Sequence, residues 1–91
     1  MEDVNRDRLI QLGLTISALR KYRGLSQKQL AERVSVSRSL ISAIEAPGFA
    51  RSFSLEVFYN IADVLNIEPA KLLSASEQFE NLLKPNLPTI T

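Results

Sequence analysis

"SQKQLAERVSVSRSLISAIE", residues 26–45, holds two short apolar-periodic segments with a tight break between them. Ser26 and Gln29 form an S-x-x-Q capping box, which marks the start of a helix whose inner face is Leu30, Ala31 and Val34. "SVS" at 35–37 interrupts the period. Ser37 then caps a second helix, expected from about Arg38 to Ala46 and ended by Pro47 and Gly48. Turning that second helix by about 100° per residue puts Leu40, Ile41 and Ile44 on one side, which must be core. The opposite side carries Arg38, Ser39, Ser42, Ala43 and Ala46, one cation among short hydroxyls and methyls.

The flanks continue in helices. Upstream, Leu9, Leu12, Ile16 and Leu19 have helical spacing, which predicts a helix from about Asp7 to Tyr22 with Gly24 as its stop. Gly13 weakens that helix slightly and allows a close crossing. Downstream, "PGFARSF" is a loop. Ser54 caps a fourth helix to about Leu65, with Leu55, Phe58, Ile61, Ala62 and Leu65 inward. Pro69 suits the first turn of a short fifth helix through "AKLL", and "SEQFENLL" adds one or two turns. "KPNLPTIT" holds two prolines and is expected to be extended or frayed. The expected fold class is all-α, because helices this short must pack their apolar stripes together.

Composition bounds the chemistry. The 91 residues suit one domain, and 45% are apolar, ordinary for a globular protein. No apolar run approaches the roughly 18 residues of a membrane span. "MEDVNRDR" does not read as a signal peptide, and a soluble cytoplasmic protein is the expectation. Histidine and cysteine are both absent, which removes the usual zinc and haem ligands, thiol nucleophiles and the commonest general base. Serine–lysine or two-carboxylate chemistry stays open, but nothing groups such residues with a glycine-rich loop. No enzyme, cofactor or metal is therefore expected. The net charge of +1 hides an uneven distribution: residues 20–51 carry +5, residues 52–91 carry −3, and residues 1–19 carry −1. The basic excess surrounds the opening stretch, as a polyanion partner or a merely solvated face would have it.

The outer face of the second helix of the pair has the chemistry of base recognition. An α-helix fits the DNA major groove, where arginine pairs with guanine, serine meets base edges, and alanine meets a thymine methyl. The capped N-terminus offers backbone N–H groups to phosphate. A solvated face is the alternative reading of the same residues.

The spacing resembles a known family. "LGLTISALR", then "GLSQKQLAERVSVSRSLISAIE", then "SLEVFYNIADVLNIEPAKLL" is similar to the Cro and phage-repressor helix-turn-helix, the lambda-repressor-like or XRE family. The likeness covers about residues 12–73 and implies a compact five-helix domain over residues 1–73, followed by a C-terminal extension, 74–91. It implies that Ser37, Arg38, Ser39, Ser42 and Ala43 read bases, and that Gln27, Lys28 and Arg51 meet phosphate. Ala31 would allow the helix pair to cross closely, and Val36 would dip into the core. Three positions depart from the family. Ser35 stands where glycine is usual, at a cost of about 1 kcal/mol if its backbone is left-handed. The loop after the reading helix is about two residues longer than the commonest form. Phe53 replaces a frequent proline.

The implied function is a sequence-specific regulator of transcription, a repressor that binds a palindromic operator in double-stranded DNA as a homodimer. Phe79, Leu82 and Leu83, at helical spacing with little local core to enter, are the candidate dimerisation residues. With 18 residues after Leu73, no ligand-binding domain is expected. Two alternatives use the same fold: the antitoxin of a toxin–antitoxin pair, with a toxin as protein partner, and a module for protein contacts alone. The basic excess argues against the last.

Overall fold

The computed structural model describes the backbone over residues 3–83 and the side chains over residues 5–78. Among these residues there are five helices and no strand: α1 (Asp3–Tyr22), α2 (Gln27–Val34), α3 (Arg38–Glu45), α4 (Leu55–Val64) and α5 (Pro69–Leu83). The architecture is the expected all-α one.

Three serines start helices. Ser26 Oγ accepts from the Gln29 N–H at 3.0 Å while Gln29 Oε1 accepts from the Ser26 N–H at 2.8 Å, a complete capping box. Ser37 and Ser54 accept from the N–H groups of Leu40 and Val57, each at 3.1 Å. Three other helix ends share one design. Gly24, Ser35 and Asn66 have φ of 76°, 67° and 57°, the left-handed region. After each, an apolar residue turns inward and its N–H closes the helix. Leu25 donates to the Arg20 carbonyl, Val36 to that of Ala31, and Ile67 to that of Ala62, at 3.0–3.1 Å. These are Schellman endings, which satisfy carbonyls that the last turn would leave unpaired.

The core draws on every helix. Ile16, Leu30, Ile41, Ile44, Ile61, Leu65 and Leu72 are fully buried, and Val36 and Phe53 pack half-buried against them. α5 lies along α1 and touches α4, while α2 packs on α3 and α4.

Some expectations are corrected. α1 begins at Asp3, a turn before the expected Asp7, because the mostly polar residues that precede the apolar stripe are still compatible with helix. α3 ends at Glu45 and α4 at Val64, with Ala46 and Leu65 as their caps. Leu55, expected inward, is 63% exposed: it opens α4, and the buried face starts at Phe58. The fifth helix is not a short turn with an uncertain sequel but 15 continuous residues, so position 73/74 falls inside it, and Ser76 beyond that point is buried. The side chains of Phe79, Leu82 and Leu83, and the whole of 84–91, lie outside the described residues.

Candidate nucleic-acid interface

The seat of α3 is set by residues that lack bulk. A Cβ on Gly13 would stand 1.9 Å from the Ile44 carbonyl oxygen and 3.0 Å from its carbon, so α1 and α3 meet backbone to backbone. Ala31, 2% exposed, gives α2 its place beside α3. Ser35 in the left-handed conformation then turns the chain so that Val36 closes α2 and Ser37 opens α3.

With Ile41 and Ile44 sealed in the core, the outer face of α3 is presented as expected. Ser37, Arg38, Ser39 and Ser42 are exposed together, and Ala43 lies half-buried at the flank. Ala46, on the same side, is also half-buried. Lys28 is exposed in the first turn of α2, and Arg51 is exposed on the loop before α4. That loop begins with a turn in which the Phe49 N–H donates to the Ala46 carbonyl at 3.2 Å, and it leaves Phe49 half exposed.

Gln27, the first residue of α2, is half-buried. Its Nε2 donates to Glu45 Oε1 at 3.1 Å. Glu45 is itself buried and forked by Arg20, whose Nε donates to Oε2 at 2.7 Å and whose second terminal nitrogen donates to Oε1 at 2.9 Å. The remaining terminal nitrogen of Arg20 donates to the Leu25 carbonyl at 2.7 Å. The Glu45 hydrogen bond raises the Arg20 pKa above its ordinary value; burial opposes this and the charge of Glu45 assists it. Arg20 therefore stays charged.

This cluster is the part of the site that sequence reasoning misses. A signal for it exists: Arg20 falls four residues after Ile16 and Glu45 four after Ile41, so each ion continues an apolar stripe. Two opposite charges on two inward stripes ask for each other.

The basic segment sorts accordingly. Arg20 is spent inside. Arg23 donates to the carbonyls of Leu65 and Asn66 at 2.8 and 3.3 Å, which ties α1 to the end of α4. Arg23 nevertheless stays exposed, as do Lys21, Lys28, Arg33, Arg38 and Arg51, against Glu32 as the exposed carboxylate of residues 20–51. The +5 read from sequence thus survives burial of the ion pair as an outward-facing excess.

Comparison with known proteins agrees with this geometry. The chain is similar to the restriction-modification controller protein C.AhdI from Aeromonas hydrophila, with 34% identity and a TM-score of 0.64 over 70% of this chain and 94% of that one. It shares its fold with the clp gene regulator ClgR from Corynebacterium glutamicum, at 24% identity and a TM-score of 0.74 over 84% of this chain and 78% of that one. It also shares its fold with a variant of the restriction-modification controller protein C.Esp1396I, at 22% identity and a TM-score of 0.70 over 87% and 95%. No curated protein matches the chain. The helix-turn-helix family pattern matches residues 16–72, more than half of the sequence, and the chain belongs to this family, of the Cro and phage-repressor (XRE) type.

Proposed function

We propose that the protein is a sequence-specific DNA-binding regulator that represses transcription by occupying a palindromic operator as a homodimer in the cytoplasm. The observation that carries this reading is α3: its inner side is core and its outer side exposes Ser37, Arg38, Ser39 and Ser42, so that Arg38 is the one long side chain among short ones. Arg38 forks onto guanine, the serines meet base edges, and Ala43 meets a thymine methyl at the flank. Gln27, Lys28 and Arg51 hold phosphates on either side, so that register is set apart from sequence. One α3 spans only a few base pairs. Two copies joined through Phe79, Leu82 and Leu83 near the end of α5 would set two reading helices about 34–36 Å apart, one turn of DNA. No catalytic role is proposed.

Selection of bound sequences from random double-stranded DNA tests the whole reading. The expected result is one enriched palindrome whose half-sites are one helical turn apart. Failure to enrich any sequence, with affinity insensitive to salt, would leave a protein-contact module as the use of the fold.

A further inference from the structure

We propose that Glu45 is a positioning residue for DNA binding: its buried carboxylate, neutralised by Arg20, holds the Gln27 side-chain amide in the one orientation that offers an N–H to a phosphate. The inference deepens the proposed function and rests on the reading of Gln27 as a phosphate contact.

Arg20 already satisfies one lone pair on each oxygen of Glu45. Its fork supplies a donor to each Glu45 oxygen, at 2.7 and 2.9 Å, which is the favourable bidentate geometry for such a pair. Gln27 supplies a third donor, at 3.1 Å to Oε1. Because a carboxylate only accepts, the group facing it must be the NH2 end of the Gln27 amide and not its oxygen. The flip of the amide is thereby decided. One N–H is consumed by Glu45, and the second remains for a partner outside the cluster.

Placement and charge suit a phosphate at that second N–H. Gln27 is the first residue of α2, half-buried beside the Ser26 cap, and Lys28 follows it in the open. A bare carboxylate so near would repel an anion. Arg20 removes that objection by neutralising Glu45 within the core, where it also donates to the Leu25 carbonyl just before the cap. The network therefore links α1, the start of α2 and the end of α3. A glutamine side chain free in solution loses rotamer freedom when it binds, and anchoring one end lowers that cost before the DNA arrives.

A purely architectural role for Glu45 makes different forecasts, which allows a test. If Glu45 acts through Gln27, removing either residue weakens binding to every DNA sequence alike. The salt slope stays unchanged, since a neutral amide releases no counterions. If Glu45 instead sets the tilt of α3, its loss shifts preference between bases.

The experiment is a double-mutant cycle on the full chain. Glu45→Gln, Gln27→Ala and the combination are titrated against the selected operator, a one-base variant and random DNA at several salt concentrations. Each single substitution is expected to lower affinity roughly tenfold on all three DNAs, the scale of one hydrogen bond to a charged group. The combination should lose no more than either alone. Additive losses, no effect of Glu45→Gln beside a clear effect of Gln27→Ala, or an altered base preference in Glu45→Gln would each overturn the positioning role and leave the phosphate contact standing. No effect of Gln27→Ala would overturn the phosphate contact itself, and the positioning role with it. Should Glu45→Gln fail to fold, the paired replacement Arg20→Met with Glu45→Leu removes both charges together, a change that folds often bear. The same cycle with Gln27→Ala then decides the matter on the same criteria.

Discussion

Gly13 is the residue at which helix propensity and packing make opposite demands. In an isolated helix, alanine would be better there by about 1 kcal/mol. In the folded chain its Cβ would enter the Ile44 carbonyl, a backbone atom of α3 that cannot swing aside. Gly13→Ala is therefore expected to destabilise by at least about 1–3 kcal/mol, the usual cost of overpacking, and to displace α3 from its seat. Urea denaturation measures the first effect and operator affinity the second. A gain in stability would mean that α1 and α3 can part at little cost. Ser35 poses the reverse case. It bears the left-handed backbone at φ 67° with a Cβ attached, so Ser35→Gly should stabilise by up to about 1 kcal/mol and leave DNA binding intact. A loss of stability on denaturation would show that the serine contributes something in the turn beyond its backbone angle.

At the level of elements, local signals read well from sequence and long-range ones do not. Ser26, Ser37 and Ser54 announce their helices because a cap acts within three residues. The pair Ile41 and Ile44 announces the buried side of α3 by spacing alone, so the candidate reading face is legible at once. Leu55 misleads because an apolar residue at a helix start counts toward the stripe although the stripe has not yet reached the core. Asn66 escapes notice as a helix end because asparagine is a weaker sign of left-handed backbone than glycine. Arg20 and Glu45 stand 25 positions apart, and only the packing of α1 on α3 brings them together. The basic residues of the segment look alike in sequence, yet their positions give them three different behaviours. Arg38→Ala, on the exposed face of α3, should cost roughly 1–3 kcal/mol on the best operator and relax preference at one base pair. Lys28→Ala should weaken all DNA about equally and reduce the salt slope by about one unit. Arg23→Ala should lower fold stability by about 1 kcal/mol through its lost bonds to the Leu65 and Asn66 carbonyls, and leave the salt slope alone. Titrations at several salt concentrations, beside melting curves, separate the three. A uniform affinity loss in Arg38→Ala would remove its base-reading role and pass that role to Ser39, Ser42 and Ala43.

For the whole molecule the question is how one short helix, proposed to read bases, can specify a site, and the proposed answer is a second copy. The place to cut the chain follows from α5. Leu72 and Ser76 are buried, and the helix packs along α1, so a truncation at 76 would strip part of the fold. Deleting residues 79–91 instead keeps Pro69 to Gln78 and removes Phe79, Leu82 and Leu83. The shortened chain should melt as a single folded unit but sediment as a monomer. Its operator affinity should fall by roughly 10²–10⁴-fold, because the second half-site no longer gains from the effective concentration that the first provides. Affinity for a single half-site should be unchanged, since α3, Gln27 and Lys28 are untouched. A truncated chain that still sediments as a dimer would refute the role of Phe79, Leu82 and Leu83. The interface would then belong to the described helices, where Leu55, Tyr59 and Leu73 are large apolar side chains about half or more exposed. Leu12, Phe53, Ser54, Leu55, Phe58 and Leu73 line a mostly apolar groove of about 270 Å³, and a charged residue at Leu73 in the truncated chain would then be the change that separates the two copies.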